Sequence, residues 1–493
     1  MRNYRTSTVF CGAAGELRQN YGQAALQAEC ASLAPVEAQA AAELPPPNAP
    51  FVDWQLSDLG NMRIFIAQHG HRLKFNHQSG QWLIWQGTNW MADLTGEVEV
   101  FGKQTARSLL QIEPVGPWPE RQKQLKFAVK SQNRRQIQDF VALARSEPQI
   151  AATASDFDRD NMLLNVRNGT LDLRNGKLRP HDRNDLITRT IPIVYDSKAA
   201  CPTWLAFLAK VMASDQEMID FLQKAVGYSL TGSTAEQAVF CPYGLGRNGK
   251  TVFMETVSSL LDGYAKRIPS ESLMVRQNGG GIPNDLAMLA GARLAVASET
   301  QEGARLDESK LKEITGGDTI TARFLHKEFF EFVPQFKLWI VGNHKPIIQG
   351  VDLGIWRRIR LVPFSVTIPP EEVDPQLPVK LRSELPGILT WAVRGCLAWQ
   401  QAGLGLPAAV RAATVNYQNE SDLLGQFLEE RCRQIPGAES PVPAVYTGYR
   451  LWAEEAGLKP IAKASFTRKM SERGYLMRRS NGQTRIAGIL MAA

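Results

Sequence analysis

One stretch constrains this chain more than any other. Gly244-Leu245-Gly246-Arg247-Asn248-Gly249-Lys250-Thr251 matches the pattern G-x-x-x-x-G-K-[ST] in full. Before it, Ala238-Val239-Phe240-Cys241 is a short apolar run of buried-strand type. After it, Val252, Phe253, Thr256, Val257, Leu260 and Leu261 recur at helical spacing. Strand, glycine-rich turn and helix form the setting in which such a loop cradles phosphate. The glycines let backbone N–H groups turn toward phosphate oxygens, and the helix N-terminus adds the positive end of its dipole. The expected ligand is ATP with Mg²⁺. Gly244, Arg247, Asn248 and Gly249 would shape the cradle. Lys250 would reach the β- and γ-phosphates, and Thr251 would ligate the metal.

The residues that follow supply what phosphoryl transfer needs. Arg293-Leu294-Ala295-Val296-Ala297-Ser298-Glu299 reads as a second buried strand ending in an acid. A carboxylate there would orient Mg²⁺ and polarise the attacking water. Glu299 is therefore the expected catalytic and metal-binding acid, with Glu302 as a helper. Lys337-Leu338-Trp339-Ile340-Val341-Gly342-Asn343 reads as a third strand, and its terminal amide Asn343 could sense the γ-phosphate. Between the acid and the amide, two strand-like runs flank a polar tip at His326-Lys327-Glu328, which makes a hairpin with a basic tip. Beyond the third strand, Arg357 and Arg358 stand side by side. Arginine suits a bidentate clamp on a phosphate, and one of the two would act as a finger if that phosphate belongs to a neighbouring subunit.

Length and charge fit a multidomain, nucleic-acid-associated protein. The chain has 493 residues and a net charge of +7, which suggests about three domains and permits a polyanionic partner. Its 6 cysteines are scattered without a C-x-x-C pair, which argues against a zinc ribbon or a disulfide framework and suits a reducing cytosol. No apolar run approaches a membrane span, and the first residues lack a signal-peptide core. The expected location is the cytoplasm of a bacterial host cell, with no membrane partner.

Residues 1–50 are read as a flexible Ala/Pro-rich tail ending at Pro45-Pro46-Pro47. Phe75 to His77 and Gln81 to Trp85 read as strands around a Ser79-Gly80 turn. Pro119 to Arg145 reads as helical, with Arg121, Lys123, Lys126, Lys130, Arg134 and Arg135 on what is taken as a solvated face. Asn168-Gly169 and Asn175-Gly176 between apolar runs signal a hairpin. Trp204 to Leu230 reads as one helical packing or oligomerisation segment. His69-Gly70-His71 and Asp156-Phe157-Asp158 superficially suggest a metal-dependent primase site but read as loop residues. Near the C-terminus, helices over Tyr446 to Ala456 and Lys463 to Arg473 precede a hairpin turned by Asn481-Gly482. Helix, helix, hairpin is the winged-helix order, and Lys463, Arg468, Lys469, Arg478 and Arg479 are its candidate DNA contacts.

In combination, the phosphate loop, Val296-Ala297-Ser298-Glu299-Thr300, Leu311 to Asp318, Gly342-Asn343-His344-Lys345-Pro346 and Trp356-Arg357-Arg358-Ile359 resemble the superfamily III helicases. The closest likeness is to the helicase portion of phage, plasmid and poxvirus primase–helicases. The Asn168 to Leu173 hairpin also resembles the segment preceding the helicase in that family. The resemblance implies an α/β fold with an AAA+-type core, a ring-shaped oligomer (a hexamer in this reading) and 3′-to-5′ translocation on single-stranded or forked DNA. Within it Glu299 matches the catalytic acid and Asn343 the sensor. His326 or Lys327 matches the DNA-contacting tip, and Arg357 or Arg358 the finger. The expected organisation is a tail at 1–50, an α+β domain at 51–200, a helical collar at 201–232 and the ATPase core at 233–375. A helical connector at 376–430 and a winged-helix domain at 431–493 follow. The expected function is an ATP-dependent DNA helicase replicating a phage, plasmid or other mobile element, aided by a separate primase or replication protein. The alternatives are an initiator or loader that melts origin DNA without processive unwinding, and a primase–helicase.

Overall fold

The computed structural model describes residues 56–275, 284–298, 304–324, 329–348, 352–457, 460–480 and 482–491. The chain divides into two compact units, the first ending at Asp156 and the second starting at Phe157, with Gly87 to Asn89 assigned to the second.

The first unit is α+β. Strands β1 (Leu73–Asn76), β2 (Gln81–Trp85), β3 (Trp90–Ala92) and β4 (Ala151–Ala152) form one sheet in the order β3-β2-β1-β4. The Ser79-Gly80 turn joins β1 to β2 antiparallel, as the alternating apolar runs predict. Helices Asp58–His69, Glu97–Ser108 and Arg134–Leu143 bury Phe65, Phe101 and Phe140 in a common core. The helical stretch expected from Pro119 to Arg145 is two helices, Trp118–Ser131 and Arg134–Leu143, broken at Gln132 and Asn133. His69 stacks on Phe101 with ring centroids 4.8 Å apart, and burial pushes its pKa down to about 4. His69 and Gly70 are therefore packed at the core's edge, while His71 is exposed.

The second unit opens with the hairpin β5 (Leu163–Val166), β6 (Gly169–Asp172) and β7 (Lys177–Arg179). Leu164, Val166, Leu171 and Leu173 are fully buried and share a core with Trp204 and Phe253 of the segment that follows. The hairpin has no separate core, so it belongs to the compact unit that starts at Phe157. The helical stretch from Trp204 is also two helices, Pro202–Val211 and Gln216–Ser229. They are interrupted where Ala213 and Ser214 take φ of 50° and 60°, a left-handed conformation that ends a helix.

The central element is a five-stranded sheet: β8 (Val239–Tyr243), β9 (Ala265–Pro269), β10 (Leu294–Ser298), β13 (Lys337–Val341) and β14 (Ile359–Pro363). The short ribbon β11 (Ile320–Ala322) and β12 (Phe330–Phe332) lies outside it. The five strands run parallel in the order β14-β8-β13-β10-β9. Side-chain alternation splits them between two cores. Phe240, Val296 and Trp339 pack toward the helices Pro202–Val211, Gln216–Ser229, Lys250–Leu261 and Leu385–Ala402. Val239, Ala295 and Leu338 pack toward Leu311, Ile314 and Tyr417 on the other face. Burial on both faces is why these strands read as continuous apolar runs.

The C-terminal segment has its own core, which includes Tyr449, Trp452, Phe466, Met470, Ile486 and Ile489. Helices Val442–Glu455 and Lys463–Glu472 precede the hairpin of β16 (Met477–Ser480) and β17 (Gln483–Met491). Two features differ from the sequence reading. The helix Leu423–Arg431 contributes Leu424, Phe427 and Leu428 to this core, so the module begins before residue 431. A further strand, β15 (Cys432–Pro441), pairs with β17 and forms an edge of the sheet. Pro436 and Gly437 disguise it. The register shifts between Gln434 and Glu439, and Gly437 has φ of +83°, the kind of bulge that admits both residues on an edge strand.

Candidate nucleotide-binding site

Parallel register gathers the candidate residues at one edge of the sheet. Pro363 pairs with Tyr243, Gly342 bridges Tyr243, and Val341 pairs with Ser298. The phosphate loop leaves β8 at Tyr243, so Gly244 and Asn343 emerge from adjacent strands at the same level. Such a crevice at the carboxyl ends of strands is where open α/β sheets bind ligands.

The loop is held from three sides. Asn248 is 3% exposed and donates from Nδ2 to the Phe364 carbonyl at 3.0 Å. The Phe364 amide donates to Tyr243 O at 2.7 Å, and the Ile368 amide to Arg247 O at 2.7 Å. Gly249 adopts φ of +82°, and a Cβ there would lie 2.6 Å from Val211 and 3.0 Å from Phe207. This glycine serves both the turn and the approach of the helix Pro202–Val211. A Cβ on Gly244 would lie 2.3 Å from both Asn248 Nδ2 and Phe364 O.

Lys250 is 5% exposed. Its Nζ donates to Gly244 O at 2.6 Å and to Asn248 Oδ1 at 3.0 Å. Desolvation lowers its pKa. The first intrahelical bond runs from the Phe253 amide to Gly249 O at 2.9 Å. Among the described residues the amides of Lys250, Thr251 and Val252 have no backbone acceptor, as expected for the first turn of a helix. A buried cation, a row of open amides and an exposed Thr251 form a set that suits the phosphates of a nucleotide with its Mg²⁺.

The other candidates divide by position. Asn343 is exposed at the edge beside the loop. The chain just after it is clamped: Lys345 Nζ pairs with Glu420 at 2.7 Å, and the Tyr417 hydroxyl donates to Pro346 O. Arg358 is 7% exposed, donating from Nε to Thr315 Oγ1 at 3.1 Å and from Nη1 to Gly354 O at 2.6 Å. Arg357 is exposed and reaches Gln237 Oε1 at 3.0 Å. Neighbours in sequence, the two arginines have opposite settings. Glu299, Glu302, His326 and Lys327 lie outside the described residues. The arms of the expected hairpin pair as β11 and β12, with Ile320 opposite Phe332.

In the C-terminal module, Lys463 and Arg479 are exposed. Arg468 pairs with Glu472 at 3.6 Å and Arg478 with Glu439 at 3.6 Å, both on exposed arginines. Lys469 is half-buried and, with Arg468, lines a cavity of about 660 Å³ shared with Arg305, Asp307 and Glu308 of the core. Lys469 is thus set apart from the other four cations, which are exposed. Phe364 was missed by the sequence reading: its role is carried by backbone atoms, which no residue pattern marks. No helix among the described residues is long and apolar enough to cross a membrane.

Comparison with known proteins places these features in a wider group. Residues 62–213 match the family model described as D5 N terminal like, which runs across the boundary between the two units. Residues 243–358, from the end of β8 to Arg358, match a family of unknown function (DUF5906). The chain is 31% identical to "Putative helicase 022R" of Frog virus 3, over 52% of this chain and 28% of the relative. It is 26% identical to "Putative helicase L207/L206" of Acanthamoeba polyphaga mimivirus, over 62% of this chain and 35% of the relative. The protein named primase C962R, with the same qualifier, of African swine fever virus is 26% identical over 60% of this chain and 33% of its own length. The chain thus spans about a third of the length of the curated relatives it matches. The apo structure of the NrS-1 C-terminal region aligns with 88% of this chain and 99% of that one, at 10% identity and a TM-score of 0.49. With the motif order, the matched domains and the named viral relatives together, the chain is a superfamily III primase–helicase-like protein.

Proposed function

We propose that the chain is the ATP-hydrolysing motor of a DNA helicase acting in replication of a virus-like or other mobile element. The observation that carries this reading is the buried Lys250 beside the open amides of Thr251 and Val252, at the same sheet edge as Asn343. Numbered from the phosphate-loop strand, the five-stranded sheet has the order 5-1-4-3-2, which supports an AAA+-type core. Lys250 and the helix amides would hold the β- and γ-phosphates, and Thr251 with Glu299 would hold Mg²⁺. Asn343 would contact the γ-phosphate or the attacking water. Bound Mg²⁺ would neutralise charge developing on the transferred group.

A ring supplies the remaining part. Arg357 lies beyond the opposite end of the sheet from its own phosphate loop, so the phosphate it clamps would be that of an adjacent copy. Movement of the hairpin tip at His326 and Lys327 would then couple hydrolysis to 3′-to-5′ travel on one DNA strand. The order of helix Val442–Glu455, helix Lys463–Glu472 and the β16–β17 hairpin supports a winged-helix module for duplex contact.

The test is ATP hydrolysis and strand displacement on forked DNA by the same preparation. Both activities, lost together in Lys250→Ala, are expected. Hydrolysis stimulated by DNA without strand displacement would favour the initiator or loader reading. Neither activity in protein that folds would overturn the motor assignment.

A further inference from the structure

We propose that the first unit carries a binding groove for the phosphate backbone of nucleic acid, built by Lys103, Arg107 and Arg134. The groove forms where helix Glu97–Ser108 meets helix Arg134–Leu143. Gly102 makes the contact close: a Cβ there would lie 2.9 Å from Ile137 and 3.0 Å from Val141. The resulting cavity is about 410 Å³, with Ala106 and Ile137 at its floor. Lys103 and Arg107, one helical turn apart, face it from one helix, Arg134 opens the other, and Gln132 adds an amide.

Charge argues for a ligand from outside. Two cations of the unit have carboxylate partners: Arg72 pairs with Glu97 at 3.4 Å and Arg135 with Asp139 at 3.6 Å. Lys103, Arg107 and Arg134 have no ion-pair partner among the described residues, and Glu99 is the single carboxylate lining the groove. Like charges four residues apart on a helix repel. Three cations converging on one concave surface are stabilised when an anion enters, and a phosphodiester backbone presents anions in series. A backbone also suits the wider surroundings, because Arg121, Lys123, Lys126 and Lys130 are exposed on the helix that ends at Ser131, just before Gln132. The basic helix read from sequence as a solvated face thus borders a formed recess.

This inference rests on the nucleic-acid reading of the chain but not on ATP hydrolysis, and the two fail separately. The experiment measures binding of a labelled single-stranded oligonucleotide to the full chain, without nucleotide, across a salt series. The variants are Lys103→Gln/Arg107→Gln and Lys103→Gln/Arg107→Gln/Arg134→Gln, with Lys177→Gln/Lys198→Gln, two exposed lysines of the second unit, as a charge-matched control. Three phosphate contacts on a single strand correspond to a salt-dependence slope smaller by roughly 2 in the triple variant. The expected result is that loss, with about tenfold weaker binding near physiological salt, unchanged basal ATP hydrolysis and an unchanged unfolding midpoint. A loss no larger than in the control pair would overturn the groove. Inorganic pyrophosphate is the second probe. If its binding depends on Lys103 and Arg107 while oligonucleotide affinity does not, the groove is a small-anion site and the backbone assignment is wrong. A triple variant that fails to fold leaves the double variant to decide by the same readouts.

Discussion

Arg357 and Lys250 belong to opposite ends of the same sheet. Ile359 pairs with Val239 and Pro363 with Tyr243, so four residue steps separate the two levels, roughly 13 Å at the rise of a strand. Arg357 precedes Ile359, and the phosphate loop follows Tyr243, which lengthens the path further. Its contact with Gln237 Oε1 holds it at the far end. An arginine side chain does not span that distance, so Arg357 cannot clamp a phosphate held by its own Lys250.

The exposed arginine is accordingly the better candidate for the proposed finger. Arg357→Ala should retain nucleotide binding and lose on the order of 10³ or more in hydrolysis rate. Mixing it with Lys250→Ala protein should restore part of the activity, because each inactive chain supplies what its neighbour lacks. Absence of restoration at every mixing ratio would speak for a site completed within one chain. Arg358→Ala should act differently. It removes donors from Thr315 Oγ1 and Gly354 O, and its first effect should be a lower unfolding midpoint.

The phosphate loop makes a second distinction testable. Lys250→Ala removes the cation and should abolish hydrolysis if, as proposed, that charge stabilises the transferred phosphoryl group. Asn248→Ala leaves Lys250 in place but frees the Phe364 carbonyl and removes Oδ1, one of the two oxygens that hold Nζ. It should weaken nucleotide affinity more than it slows turnover at saturating ATP. Titration with a fluorescent nucleotide beside steady-state kinetics separates the two. Equal losses in both variants would show that Asn248 acts on the reacting phosphate.

These distinctions indicate where sequence stops being informative. The strand before the loop, the helix after it and the β11–β12 arms were legible because their apolar patterns are strong and local. The arginine pair was legible as a pair only, since Thr315 separates Arg358 from Arg357 and lies more than forty positions away in the chain. The β15 strand was hidden because Pro436 and Gly437 are ordinarily breakers, and only pairing with β17 shows the bulge that admits them. Arg293 and Lys337 look like polar boundaries of buried strands, yet both are themselves buried. Their partners are backbone carbonyls, which leave no trace in residue identity.

Those two cations yield a stability prediction with a defined sign. Arg293 donates to the carbonyls of Leu230 and Leu163, each at 2.6 Å. Lys337 Nζ donates to Thr231 O, to Gln335 O at 3.0 Å and to Ser233 O at 3.3 Å, and lies 4.9 Å from the Tyr228 ring centre. Lys337→Met leaves those carbonyls without their donor and should cost about 2 kcal/mol at neutral pH. Burial holds the Lys337 pKa well below the usual lysine range. Between the lowered folded value and the unfolded one, the unfolded chain binds more protons, so this lysine favours folding more as pH rises. The stability gap between wild type and Lys337→Met should widen with pH until the ordinary lysine range is reached. A gap that narrows with rising pH in denaturant titrations would contradict the assignment.

The C-terminal module gives the last prediction, and the structure changes where it must be cut. Removal from Pro441 onward would strip β17 from β15 and leave Leu424, Phe427 and Leu428 facing solvent. Removal after Ser421 takes the whole core, including the Arg473 to Asp422 contact. It spares Tyr417, which closes one face of the central sheet. The shorter protein should keep ATP hydrolysis, because every described element around the phosphate loop remains. The longer truncation product, ending at Ser440, should aggregate. Duplex binding by the protein ending at Ser421 should weaken and lose part of its salt dependence, since Lys463, Arg468, Arg478 and Arg479 leave with the module. Lys469 should matter less than these four, being half-buried at the cavity with Asp307 and Glu308. In the full chain, Lys463→Gln/Arg479→Gln should therefore reduce duplex affinity more than Lys469→Gln does. The reverse order would mean that the cavity face of helix Lys463–Glu472, and not its exposed face, meets DNA, and that the module must swing away from the core to bind.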